Sequence, residues 1–109
     1  MTKVTFTKKG NFITKVEVKG HACYAPHGYD IVCASISTAT QFLIALLQMS
    51  LGYDPNIVVD EKKACIKIDL SDDDFMIAPV FNSVDSYKLL MEEISRQYPR
   101  NLQIYTYET

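Results

Sequence analysis

The chain has 109 residues and a mass of 12.4 kDa, enough for one domain with a real core and too little for two. Hydrophobic residues make up 48% and charged residues 22%, the balance of an ordinary globular domain, which excludes a disordered tail. Eleven Lys and Arg stand against thirteen Asp and Glu, a formal net charge of -2, so no basic excess exists to neutralise a phosphate backbone and no direct nucleic-acid partner is expected.

The three cysteines are an odd count, too sparse for a disulfide-stapled secreted scaffold. The start, Met1-Thr2-Lys3-Val4-Thr5-Phe6, lacks the apolar region of a signal peptide. Together these predict a reducing, cytoplasmic location. With no repeat and no Gly/Ser linker, residues 1–109 are read as a single domain.

The first strands are Val4-Thr5-Phe6 and Phe12 to Lys19, turned at Lys9-Gly10-Asn11. Alternation points Lys15, Glu17 and Lys19 to water and Thr14, Val16 and Val18 inward. A loop from Gly20 to Tyr29 leads to Asp30, a candidate N-cap. The next stretch, Ile31 to Tyr53, has no charged residue and is long enough to span a bilayer. Its first half is rich in Ser, Thr and Gln, so a helix packed inside a small protein is expected and no membrane partner. The stripe Val32, Ile36, Ala39, Leu43 and Leu46 faces the core, and Gly52 supplies a left-handed stop. Phe42, Ile44 and Leu47 are left as an apolar face that suits a twofold contact, so a homodimer is expected.

Strands Ile57–Val59 and Ala64–Leu70 follow, turned by Asp60 to Lys63, and then the acidic run Asp72-Asp73-Asp74, read as a solvated loop. A second helix starts near Pro79 with the stripe Val80, Val84, Tyr87, Met91, Ile94 and Tyr98, and Pro99 ends it. Leu102 to Tyr107 closes the chain as a strand. The order ββαββαβ predicts an α+β fold, a mixed and mostly antiparallel sheet with two helices on one face.

Chemistry concentrates in Gly20 to Ala34, which holds both histidines and two of the three cysteines. Capped by Asp30, Cys33 falls in the first helical turn, where the dipole and unpaired N–H groups favour a thiolate and offer donors for an oxyanion. His21, at the end of the second strand, is the candidate general base and acid of a Cys–His dyad for acyl transfer; His27 is the rival base. Against this stands an inert Cys33 that merely fills space at a helix start, with Asp30 only a cap. Cys23 has no local activating feature, Cys65 faces opposite to the apolar set of its strand, and Ser37 and Thr38 read as helix-surface or packing hydroxyls. His21, Cys23, His27 and Cys33 also form an N₂S₂ set that would suit tetrahedral zinc, although H-x-C-x3-H-x5-C is no familiar paired-knuckle spacing.

The pattern Gly20-His21-Ala22, five residues, Gly28-x-Asp30-Ile31-Val32-Cys33-Ala34 and then Ser37 resembles the bacterial ribosomal-processing cysteine protease family, Prp. The resemblance covers the whole chain, through the long uncharged helix to Tyr98-Pro99. It implies His21 as catalytic histidine, Cys33 as nucleophile and Asp30 at the acidic position of the motif, orienting or capping. It further implies a small α/β homodimer whose mobile loop, carrying Gly20 and Gly28, covers the site. No cofactor or metal is implied. The partner implied is a large-subunit ribosomal protein precursor, whose N-terminal extension is cut after a short Phe-Phe-Ala-like segment. Ser35 stands where Ala or Gly is usual. A non-catalytic ribosome-associated binding module and a small zinc-binding interaction domain remain the alternatives.

Overall fold

The computed structural model describes residues 1–20, 30–71 and 75–109. Strands β1 (Thr2–Lys9) and β2 (Phe12–Gly20) form the opening hairpin, and Gly10 takes a left-handed φ of 62° at its turn. The ladder shifts register between Thr7 and Lys8, so that Ile13 and Thr14 are both buried in spite of alternation. The extra residue of this bulge is held by its own hydroxyl, which donates to Thr7 O at 3.3 Å.

Strands β3 (Asn56–Asp60), β4 (Cys65–Asp69) and β5 (Leu102–Glu108) complete a five-stranded sheet in the order β3-β4-β2-β1-β5. Only β1 and β5 run parallel, so the ββαββαβ order and mixed α+β sheet expected above are what the chain forms. Registers align Phe6, Val16, Ile68 and Ile57 in one cross-strand row, and Val4, Val18, Ile66 and Val59 in the next. Both rows face the helices. The opposite face carries Lys15, Glu17, Lys19, Lys67 and Asp69, with exposed Lys15–Asp69 and Lys67–Glu17 pairs at 4.0 Å that add little stability.

Helix α1 (Ile31–Ala45) continues into a π-helical turn, Leu46–Ser50, before Gly52 stops it with φ 65°. Its buried residues are Val32, Ile36, Thr40 and Leu43, followed by Leu47 in the π turn. The expected stripe is therefore displaced, because Ala39 and Leu46 are only half-buried. Thr40 enters the core because its hydroxyl donates to Ile36 O at 2.7 Å and pairs with the Tyr87 hydroxyl at 2.8 Å. Leu47 is fully buried, at 0% exposure, and so does not belong to the leftover apolar face; Phe42, at 68%, does. By length and composition Ile31–Ser50 could cross a membrane, yet its inner stripe seals the sheet.

Helix α2 (Ala78–Gln97) begins with Pro79 in its first turn and buries Val80, Val84, Tyr87 and Met91 of the stripe read from the sequence, while Ile94 and Tyr98 are half-buried against the core. Tyr98 ends it and Pro99 follows. The Tyr87 ring meets Phe6 edge-on, with centroids 6.0 Å apart. Burial pushes the Tyr87 phenol up to about 12, against a weaker lowering by its bond to Thr40. Below pH 10 the folded and unfolded chains both hold this proton. Above it the unfolded chain loses the proton first, so stability falls as pH rises from the ordinary tyrosine range towards 12.

Tyr87→Phe leaves the Thr40 hydroxyl its bond to Ile36, so it should cost only ~1 kcal/mol at neutral pH. It should also flatten the alkaline loss of stability. Denaturant melts of both proteins between pH 8 and 11 check this, and equal slopes would refute the assignment.

Candidate active site

The N-terminus of α1 is built by Asp30, which holds extended backbone angles (φ -80°, ψ 101°) while its Oδ1 accepts the Cys33 N–H at 2.9 Å. Its carbonyl accepts the Ala34 N–H at 3.0 Å. The cap read from the sequence is thus present, and Cys33 sits in the first turn as a half-buried free thiol. One detail differs from the expectation: the N–H of Cys33 is engaged by the cap, so an oxyanion at this helix end would draw on other donors.

The other fixed edge of the site is Gly20, at the end of β2. Its N–H donates to Ala64 O at 2.9 Å. Its φ is 95°, and a Cβ there would stand 2.5 Å from Met1 O. Only glycine meets both demands. Gly20 and Cys33 line one cavity of about 290 Å³ between α1 and the β3–β4 hairpin. Along α1 its wall is Cys33, Ser37 and Gln41, spaced one turn apart, with Gln41 Nε2 donating to Ser37 Oγ at 3.4 Å. Val59 and Ile66 face them from the hairpin, and Val18 lies between.

Among the predicted residues the structure brings together Gly20, Asp30 and Cys33. His21, Cys23, His27 and Gly28 lie outside the described residues, as do Asp72 to Asp74, so neither the dyad nor the zinc set is described. Among the described residues no three His, Cys, Asp or Glu side chains cluster to hold a metal. Cys65 borders the cavity at its strand end, but its register opposite Lys19 turns it to the outer face of the sheet. Ser37 is exposed on the helix surface, as read from the sequence, and also lines the cavity. Gln41 and Val59 were singled out by nothing; two four-residue steps along α1, Cys33 to Ser37 to Gln41, are the signal that marks Gln41.

A second depression lies on the far side of α1, where Phe42, Leu46 and Ala39 face Tyr87, Leu90 and Ile94 of α2 across a groove of about 890 Å³. Among the described residues it holds no cluster of His, Cys, Asp or Glu.

The sequence model of the family described as cysteine protease Prp matches residues 1–103. No protein of the curated set matches the chain in sequence. Among solved structures, SMU.848 from Streptococcus mutans superposes with a TM-score of 0.90 at 23% identity, covering 100% of this chain and 99% of its own. The essential ribosomal processing protease Prp from S. aureus, with a covalently linked product peptide, gives 0.86 at 22% identity, covering 97% and 99%. The same protease with a substrate peptide gives 0.82 at 21% identity, with the same coverage.

Asp30→Ala should lower stability by ~1 kcal/mol through loss of the cap, while Asp30→Asn, which keeps an acceptor oxygen, should retain most of it. Gly20→Ala, forced against Met1 O, should cost more than Asp30→Ala. Thermal melts of the three variants test this order, and a Gly20→Ala protein as stable as wild type would refute it.

Proposed function

The chain belongs to the cysteine protease Prp family, and we propose on that premise that it removes the N-terminal extension of a large-subunit ribosomal protein precursor through a Cys33–His21 dyad. The observation that carries this reading is the capped first turn of α1, which presents Cys33 to the cavity that Gly20, the residue before His21, also lines.

In the proposed reaction His21 takes the Cys33 proton as the sulfur attacks the scissile carbonyl carbon. The tetrahedral intermediate collapses when His21 returns that proton to the leaving amine, and the acyl group stays on Cys33 as a thioester. Water, deprotonated by His21, then releases the acid and restores the thiol. Asp30 holds the helix end against which the nucleophile is set, and no metal or cofactor enters the cycle. The peptide nature of the substrate draws support from the S. aureus protease, whose structures carry a substrate and a product peptide. That the substrate is a ribosomal precursor draws support from the same relative's role in ribosomal processing. The net charge of -2 favours a basic partner of that kind over nucleic acid.

A single catalytic domain of this size works as a cytoplasmic homodimer in this reading. The α1–α2 groove, with Phe42 at 68% exposure and Leu90 at 48%, is the surface a second copy would cover.

Cys33→Ala should abolish cleavage of the precursor peptide without loss of fold, since alanine is a strong helix former and the volume removed is small. His21→Ala should lose ~10²–10⁴-fold in rate, and His27→Ala far less. Near-wild-type cleavage by Cys33→Ala would end the protease mechanism; equal losses at both histidines would favour the metal arrangement or exchange the base. Sedimentation at micromolar concentration should show a dimer that Phe42→Asp dissociates, and a wild-type mass of 12.4 kDa would remove the dimer.

A further inference from the structure

Thr2, at the start of β1, is polar and yet only 2% exposed. It stands opposite Gly20 in the β1–β2 register and lines the Cys33 cavity, while its N–H donates to Asn101 O at 2.9 Å. Burying a hydroxyl has a cost that a valine of the same shape would not incur, unless the hydroxyl makes a hydrogen bond. Among the described residues the Thr2 hydroxyl makes one, donating to Gly20 O at 3.5 Å. That oxygen belongs to the peptide joining Gly20 to His21. The other contacts of Gly20 act before it: Ala64 O holds the N–H, and Met1 O crowds the Cα. Ala64 itself keeps a left-handed φ of 48°, which a residue with a Cβ retains only where its surroundings over-determine it. Glycine leaves ψ free, and a peptide unit is planar, so whatever holds the Gly20 oxygen sets the direction in which the chain leaves the sheet.

Resting on the protease reading above, we propose that Thr2 is a positioning residue for the reaction. Its hydroxyl holds the Gly20 carbonyl, and through it the departure of the chain towards His21, the base of the proposed dyad. At 2% exposure Thr2 has almost no surface to offer a peptide, so it acts on the rate through Gly20 and not by touching substrate. Proton transfer needs the imidazole within hydrogen-bond reach of the sulfur, whereas peptide binding is spread over the cavity wall. Loss of the hydroxyl is therefore read in kcat and not in KM.

Thr14 supplies the control. It is a second buried threonine of the same hairpin, at 4% exposure, with its hydroxyl on Thr7 O at 3.3 Å. It precedes Gly20 by ~20 Å along β2, at ~3.3 Å per residue, and does not line the Cys33 cavity. Cleavage of a peptide spanning the precursor's cut segment is measured well below the melting temperature of each variant. Thr2→Val, which keeps the shape and loses the hydroxyl, should lower kcat about fivefold and change KM less than about twofold. Thr2→Ala, also without a hydroxyl, should show the same fall. Thr2→Ser, which keeps one, should stay within about twofold of wild type. Thr14→Val should lose as much stability as Thr2→Val and retain the wild-type kcat. Three results overturn the positioning role and leave the protease reading intact: wild-type kcat in Thr2→Val or Thr2→Ala, the same fall in Thr2→Ser, or the same fall in Thr14→Val, which would make the effect one of stability alone. Absence of cleavage by wild type, or cleavage by Cys33→Ala, overturns the protease reading itself and the positioning role with it.

Discussion

The docking of α1 on the sheet is the constraint from which the rest of the molecule follows. Five buried residues, Val32, Ile36, Thr40, Leu43 and Leu47, hold it there. One of them is polar, and it is tied across the core to Tyr87 of α2. A buried hydroxyl pair with every donor placed fixes rotation and register in a way that Val or Leu alone does not, because apolar contacts tolerate sliding and hydrogen bonds do not. Once α1 is set in rotation, Cys33 can only point to the flank where Gly20 and the β3–β4 hairpin stand.

At that flank two demands compete for the same backbone. The helix end needs an acceptor for its orphaned N–H groups, and Asp30 supplies a carboxylate to the N–H of Cys33 itself. The positive end of the helix favours an anion near the sulfur, while the carboxylate that completes the helix opposes one. The cap therefore fixes where the thiol sits. In the dyad proposed above, the helix end supplies position and an imidazole would supply proton transfer. Gly20 adds a rigid exit from β2, pinned by Ala64 O on one side and Met1 O on the other.

Most of the fold was legible in the sequence, since periodicity and punctuation agree along the chain. Alternation in β2 beyond the bulge, the Asp30 cap, Pro79 and Pro99 around α2, and its stripe from Val80 to Met91 all appear where those signals put them. The α1 stripe was legible only in part. A pattern that counts apolar residues passes over Thr40, whose hydroxyl is satisfied by groups 4 and 47 residues away. It also places Leu47 outside the core, because the π turn shifts which side faces inward. The bulge at Thr14 escaped for a similar reason: one inserted residue reverses the alternation locally. In the site, Asp30 and Cys33 lie within three residues of each other, and local spacing reveals them. Val59 and Gln41 reach the same cavity only through strand pairing and helix docking, which no short motif encodes.

The lack of charge from Ile31 to Tyr53 also acquires a physical reason. Successive residues of an α-helix turn about 100°, so Phe42 stands about 180° around α1 from Cys33, with the core stripe between them on the sheet side. One side of the helix is core, one lines the cavity with Ser37 and Gln41, and one lines the groove shared with α2. A helix with a single buried stripe spares its outer face for Lys and Glu, as α2 does with Lys88, Glu92, Glu93 and Arg96. On α1 no such face remains. A charge on the core side would be buried unpaired, one on the groove side would oppose any apolar cover, and one beside Ser37 would enter the wall of the Cys33 cavity. Small hydroxyls and one carboxamide are the polar groups these positions accept, since they hydrogen-bond within the helix, as Ser35 does to Ile31 O and Gln41 to Ser37. The composition that resembles a membrane span is thus that of a helix whose three sides are core, cavity wall and groove wall.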